Sequence, residues 1–509
     1  MAFRSFSSRG FALALIAACW LGASQPAAAA PRAGEVVEEP RTLVTPQGET
    51  VAYEVGTLFV RENRARPDSR LIGVGFFRFK GAPGAAGPPT FHLPGGPGSS
   101  YFDIFTEKSD WARAKLKELL LYRAVGDVVV VDQRGYSGRG EMLTYRHAEA
   151  GRLLDRPASS AREAAADLVE ARAAVAAQPG RDLSGYTVQA LVDDVDDLRR
   201  ALGYDRVSLV GQSFGSQWAF AVMRLRPQIV ARAVLSGVEP LDGGYDMPSH
   251  VFAALQRIAW DADHDRGLAP YLPPGGVMAA VEAVRARLAA RPVVVRGAAD
   301  GGRDVRLGVE DLQQAMLTEA ADWPGLMLAL YHRRYGDWGR SVARGRLRRD
   351  DTLPLIGPLI DTSLGVTPAR MRMLLTDPAV RYLGDWNWAS YVAAAKARAW
   401  PTADVGDPLR EPAPSDIPVV FVAGDWDVST PVENALGMAP YFPNGRVVLV
   451  HRGGHDARMR LVEERPAVID ALAGFLKTGD VRSLPVRVEL AAPAFKVPAF
   501  APPSDGAAR

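Results

Sequence analysis

Residues 206–215 read Arg-Val-Ser-Leu-Val-Gly-Gln-Ser-Phe-Gly, and this stretch decides the fold. Arg206 to Val210 has the apolar, β-branched character of a strand, and Gln217 to Leu225 is small and apolar with helical character. Between them, Gly211-Gln212-Ser213-Phe214-Gly215 fits the Gly-x-Ser-x-Gly turn. A serine on a tight strand-to-helix turn holds its hydroxyl clear of the sheet. A side chain at either flanking glycine would collide with the neighbouring strand or helix. Five residues of this kind recur by chance in many chains. The strand before and the helix after give the match its weight, and Ser213 becomes the candidate nucleophile.

A serine hydroxyl is a weak nucleophile until a base takes its proton, so a histidine and an orienting carboxylate are required. Downstream, the strand Pro418 to Val422 runs into Ala423-Gly424-Asp425-Trp426-Asp427-Val428-Ser429-Thr430-Pro431. Asp427 is the expected acid, because it lies further into the loop and a proline that restarts a helix follows; Asp425 is the alternative. The next strand, Arg446 to Val450, ends at His451-Arg452-Gly453-Gly454-His455. His455, after two glycines that let the loop fold over the nucleophile, is the expected base, and His451 is expected to be structural. The anion formed on attack needs amide donors. The N–H of Phe214 is one. Gly96, in Pro94-Gly95-Gly96-Pro97-Gly98, is the expected second, with Gly95 as the alternative.

Working outward, Thr50 to Val60 and Ile72 to Phe79 read as an antiparallel pair. A third strand ends at Phe91-His92-Leu93, and Asp127 to Val131 suits a strand buried on both faces. Residues 160–179 and 187–202 read as helices, Val230 to Leu235 as a strand, and Arg465 to Lys477 as the final helix. Strands alternating with helices predict an α/β fold with a mostly parallel central sheet flanked by helices. From 241 to 415 the chain is rich in Ala, Arg, Leu and Trp at helical spacing, with only Val293 to Val295 reading as a buried strand. This predicts an inserted helical cap. The expected division is a signal peptide over 1–30, a first core part over 37–240, the cap over 241–415, a second core part over 416–480, and a surface tail over 481–509.

The chain has 509 residues, of which 60 are Lys or Arg and 58 Asp or Glu, for a net charge of +2. No global field therefore favours nucleic acid or an acidic membrane, and binding must be local. Arg4 and Arg9 precede the apolar run Phe11 to Ala23, and Gln25 to Ala30 offers small-residue cleavage sites. That is the pattern of a signal peptide, implying a secreted or periplasmic protein. Ile16-Ala17-Ala18-Cys19 also has the form of a lipoprotein signal, which would anchor the chain to a membrane through a lipid on Cys19. Cys19 is the only cysteine, so cleavage near Ala29 leaves no disulfide and no thiol nucleophile. Asp193-Asp194-Val195-Asp196-Asp197 spreads over several helix faces and reads as a solvated face, and Asp261-Ala262-Asp263-His264-Asp265 lacks the Gly and Glu of a calcium loop. Neither predicts a metal site. No cofactor is expected.

The whole set of motifs resembles the proline-iminopeptidase and tripeptidyl-aminopeptidase family of α/β hydrolases. The likeness is carried by Pro94-Gly95-Gly96-Pro97-Gly98, Asp132-Gln133-Arg134-Gly135, Gly211 to Ser216, Asp427 with Pro431, and Gly454-His455, over roughly residues 50–490. Pro94 stands where that family usually has histidine. Trp323-Pro324-Gly325-Leu326 and Trp400-Pro401 resemble the tripeptidyl branch, whose frequent cysteine pair is absent. The resemblance implies an α/β-hydrolase fold and cleavage of a peptide bond near a free N-terminus through an acyl-enzyme. It also implies cap carboxylates that hold the substrate ammonium, for which Glu239, Glu319 and Asp322 are candidates. Asp132 and Arg134 are expected to pin their turn. The alternative function is an esterase, lactonase or amidase acting on a small acyl compound with the same triad.

Overall fold

A computed structural model describes residues 30–45, 48–146, 153–347 and 352–502. The expected signal segment up to Ala29, with Cys19, lies outside the described residues. Ten strands form one sheet: β1 (Val36–Val44), β2 (Thr50–Arg61), β3 (Leu71–Phe79), β4 (Thr90–Leu93), β5 (Val128–Val131), β6 (Val207–Gln212), β7 (Val230–Ser236), β8 (Val419–Gly424), β9 (Arg446–His451) and β10 (Arg487–Glu489). Their order is β1-β2-β3-β5-β4-β6-β7-β8-β9-β10. From β5 to β10 every pairing is parallel, while β1, β2, β3 and β5 pair antiparallel. The central strands β4, β5, β6 and β8 are buried on both faces; β5, β6 and β8 are mostly apolar, while β4 also buries Thr90 and His92.

Helices cover both faces. On one lie α2 (Val188–Ala201), α3 (Phe214–Leu225) and α4 (Val432–Met438); on the other lie α1 (Asp110–Tyr122), α5 (Ala457–Glu464) and α6 (Pro466–Thr478). Each face has its own apolar core. Phe91, Leu209, Trp218 and Phe421 belong to the first, and Val130, Val210, Val422 and Phe475 to the second. The alternation of consecutive residues between the two cores is the period-2 pattern of a strand.

The segment between β7 and β8 is mainly helical and has a separate core around Leu255, Val281, Trp323, Leu328 and Trp338. The predicted buried strand there is instead half of a hairpin, Val293–Ala299 with Arg303–Leu307, whose first strand is largely exposed. Helix Ile356–Leu364 packs onto the sheet's first core.

Two terminal strands depart from expectation. β1 joins the sheet edge although Pro40 interrupts it and most of its residues are exposed. The expected surface tail over 481–509 supplies β10, paired parallel to β9, and buries Leu484, Val488, Leu490 and Phe495. Beyond β10 the chain crosses to the cap. Phe495 stacks on Trp426 with ring centroids 6.1 Å apart, and the Tyr271 hydroxyl donates to Phe500 O at 2.6 Å.

Candidate active site

Ser213 sits between β6 and α3 with φ 57° and ψ −132°, a conformation L-residues rarely adopt. Such strain costs of order 1–3 kcal/mol and persists only where neighbours enforce it. The enforcement is visible. Ser213 N–H donates to Ser236 O at 3.0 Å, and Ser216 N–H donates back to Ser213 O at 2.7 Å. A Cβ on Gly215 would lie 2.0 Å from Leu93 O, and one on Gly211 2.4 Å from Gly215 O. The two glycines thus let β6, α3 and the end of β4 close around the serine.

Asp427 follows β8 and is 2% exposed. Its Oδ1 accepts N–H bonds from Ser429 (2.8 Å) and Thr430 (2.9 Å), and its Oδ2 accepts the Thr430 hydroxyl at 2.7 Å. The same Oδ2 lies 3.0 Å from His455 Nδ1. One carboxylate oxygen is therefore consumed in holding the loop, and the other faces the imidazole. Asp425, the alternative acid, is engaged elsewhere: it pairs with His451 Nδ1 at 2.8 Å and accepts Arg452 N–H at 2.9 Å. Thus two Asp–His pairs arise from one pair of loops, and only that of Asp427 faces the serine turn. Gln212, next to the serine, donates from Nε2 to His455 O at 3.2 Å. A Cβ on Gly237, at the end of β7, would lie 3.0 Å from His455 Cε1. Burial of the His455 ring disfavours its charged form, but the hydrogen bond and charge of Asp427, with smaller contributions from Asp246 and Asp456, outweigh it and raise the pKa.

The loop after β4 lies against the serine: a Cβ on Gly95 would be 3.2 Å from Ser213 Cβ. Phe214 opens α3, so its N–H has no intrahelical acceptor. Of the flanking motif residues, Asp132 accepts the hydroxyls of Ser100 (2.6 Å) and Ser137 (2.9 Å), and burial raises its carboxyl to about 7. Arg134 makes a buried two-pronged pair with Asp194, at 2.7 and 2.6 Å, and donates to Glu62 O and Gly185 O. Asp194 is thus a structural acid rather than a solvated one.

The three candidate ammonium ligands separate. Glu239 follows β7, with its N–H bonded to Ser216 Oγ at 2.9 Å. Burial raises its carboxyl well above the usual range, reinforced by the charges of Asp246 and Asp361. Those two acids had no signal in the sequence. Asp246 lies in the loop before helix Pro248–Asp263 and accepts Asn387 Nδ2 at 3.0 Å; burial first, then the Asp427 charge, raise it to about 8. Asp361, in helix Ile356–Leu364, is raised by burial to about 7 and accepts the Tyr391 hydroxyl. Among the described residues none of the three forms an ion pair. Glu319 and Asp322 stand apart from them. Glu319 is exposed, and Asp322 lies 3.7 Å from Lys496 of the C-terminal segment.

A strained serine after β6, an acid after β8 and a histidine after β9, on a mostly parallel sheet with a cap between β7 and β8, define an α/β hydrolase. Comparison with known families agrees: the model described as "alpha/beta hydrolase fold" matches residues 91–268, and that of "TAP-like protein" matches residues 385–485. The chain belongs to the α/β-hydrolase family, with a C-terminal region of the TAP-like type. It is a hydrolase. Solved structures similar to it include the meta-cleavage product hydrolase CumD of Pseudomonas fluorescens IP01 (12% identity, covering 80% of this chain and 96% of that one, TM-score 0.35). An esterase from Exiguobacterium antarcticum is similar at 12% identity over 82% and 99% of the two chains (TM-score 0.34). A Vigna radiata epoxide hydrolase mutant is similar at 16% identity over 86% and 98% (TM-score 0.33). No curated protein matches the chain.

Proposed function

We propose that the protein is a serine aminopeptidase that releases an N-terminal residue or short peptide through an acyl-enzyme on Ser213. His455 takes the Ser213 proton as Oγ attacks the scissile carbonyl, while Asp427 holds the ring and stabilises the imidazolium. The oxyanion is met by the N–H groups of Phe214 and Gly96. His455 then gives its proton to the leaving amine, and water attacks the acyl-enzyme by the same route in reverse.

The observation that carries the peptidase reading is the trio Glu239, Asp246 and Asp361. The three carboxyl groups are held above their ordinary values, and the charges of Asp246 and Asp361 both act on Glu239; among the described residues none has a salt-bridge partner, although the Arg370 guanidinium and His455 act on Asp246 at longer range. A substrate ammonium would offset the surplus of carboxylate charge that remains beside Arg370. Hydrogen bonds to charged groups contribute about 1.5–3 kcal/mol each, or roughly 10- to 150-fold. The test compares alanine, proline and tripeptide p-nitroanilides with their N-acetylated forms and with acetyl and butyryl esters. Free-amine substrates should exceed their acetylated forms in kcat/KM by about two orders of magnitude. Equal turnover of free and acetylated forms, or activity on esters alone, would favour a small-acyl esterase instead.

A further inference from the structure

Gln133 is fully buried, and its side-chain amide is spent on one loop. Nε2 donates to Pro94 O at 3.1 Å and to Gly95 O at 2.7 Å, while Oε1 accepts Gly98 N–H at 2.7 Å. Both Nε2 hydrogens and one acceptor site of Oε1 are spent on this loop, and the side chain is shut off from solvent. The segment it grips is glycine-rich: Gly96 and Gly98 have φ of 107° and 97°, and glycines lose more conformational freedom on ordering than other residues.

The Pro94–Gly95 and Gly95–Gly96 peptides are trans. A trans peptide is planar and carries its N–H opposite its C=O. A carbonyl turned toward Gln133 therefore turns the next residue's N–H away from it. Those next residues are Gly95 and Gly96, the two amides considered for the oxyanion. The sheet order fixes what "away" means. Gln133 follows β5 on one side of β4, and Ser213 follows β6 on the other.

We propose that Gln133 is a positioning residue that turns the Gly95 and Gly96 amides across β4 toward Ser213, so that the Gly96 N–H meets the oxyanion formed on its attack. This inference depends on Ser213 being the nucleophile, as proposed above.

Gln133→Met keeps the volume and removes all three bonds. Gln133→Glu keeps an acceptor for Gly98 N–H and, when protonated, one donor for a carbonyl. With p-nitrophenyl acetate as substrate, Gln133→Met should lose about 10²-fold in kcat, comparable to losing an oxyanion donor, with KM within threefold. Gln133→Glu should retain more kcat than Gln133→Met, and the gap should widen as pH falls from 8 to 6. Thermal melting confirms that both variants are folded. A folded Gln133→Met with kcat within threefold of wild type overturns the assignment, as does a loss confined to KM or a Glu-to-Met ratio that stays at one across pH. Ser213→Ala keeps the two failures apart. An active Ser213→Ala removes the serine mechanism itself, whereas an inactive one beside a fully active Gln133→Met removes only the role of Gln133.

Discussion

At the residue scale the proposed ammonium-binding trio predicts a pH dependence that the triad alone would not give. Asp246 is raised to about 8 and Asp361 to about 7, so at pH 6 both are largely protonated and offer an ammonium no charge. Raising the pH through those values creates the charge, until the substrate's own amine, with a pKa of about 7.7–8.0, begins to lose its proton. KM for an alanine p-nitroanilide should therefore fall between pH 6 and about 8 and rise beyond. KM for p-nitrophenyl acetate should show no such trough, and Asp246→Asn should flatten it for the anilide. The sign for stability is opposite. A carboxyl raised in the folded state favours folding most below its unfolded pKa, and that contribution is lost as pH rises through the folded value. Asp246→Asn should accordingly melt higher than wild type at pH 8, with the gain shrinking toward pH 4; a KM trough that survives the substitution would remove Asp246 from ammonium binding. The sequence carried Ser213, Asp427 and His455 through their strand ends, because each lies at a turn with its own local chemistry. It did not carry Asp246 or Asp361, which meet Glu239 only through the folding of the cap. It also did not carry Thr430, whose hydroxyl holds the acid in place, since a threonine before a proline has many other uses.

At the scale of elements, the elbow works because α3 approaches β4 more closely than a side chain permits. Gly215→Ala places a methyl 2.0 Å from Leu93 O, against backbone that has no rotamer to yield. Overpacking of this kind costs typically about 1–3 kcal/mol, so the variant should melt several degrees lower and lose most of its turnover. Wild-type melting together with wild-type kcat would show that the helix can back away. Sequence reading found β2 to β9 of the sheet, most plainly β5, β6 and β8, whose apolar runs lie between two helix layers. Those it missed are edge strands. β1 has a proline at its centre and charges along its exposed side, features that protect an edge from further pairing and erase the strand pattern. β10 is three residues long in a Pro- and Ala-rich stretch, too short for any period to show. Val293 to Val295 read as buried because its valines are consecutive, yet they lie in a cap hairpin with one strand largely exposed.

Across the whole molecule, the C-terminal segment ties the two halves together. It leaves the sheet at β10, packs Phe495 against Trp426 beside the acid, and reaches Tyr271 of the cap through Phe500. A Cβ on Gly325 would lie 2.1 Å from Lys496 O, so the cap helix Trp323–Tyr331 is fitted closely to the segment. Ending the chain at Glu489 should retain the sheet but expose Trp426. Phe495 is buried and Phe500 half-buried; full burial of a phenylalanine is worth about 1.5–3 kcal/mol, so the melting temperature should drop by several degrees and the cap should become sensitive to protease. Unchanged melting and unchanged cleavage would make the segment a passenger.

The cap also divides the reacting groups between two stretches of polypeptide. Ser213, Phe214 and Gly96 precede it, while Asp427 and His455 follow it. The turn Asp300–Gly302 inside the cap hairpin is fully exposed. A chain opened there becomes two fragments, one with a serine lacking a base and the other with a base lacking a serine. With the proposed triad, neither fragment alone should turn over substrate, and activity should return only where the two pair again along the β7–β8 seam. Continuity of the chain through the cap is thus what keeps the proposed nucleophile and its base in one molecule.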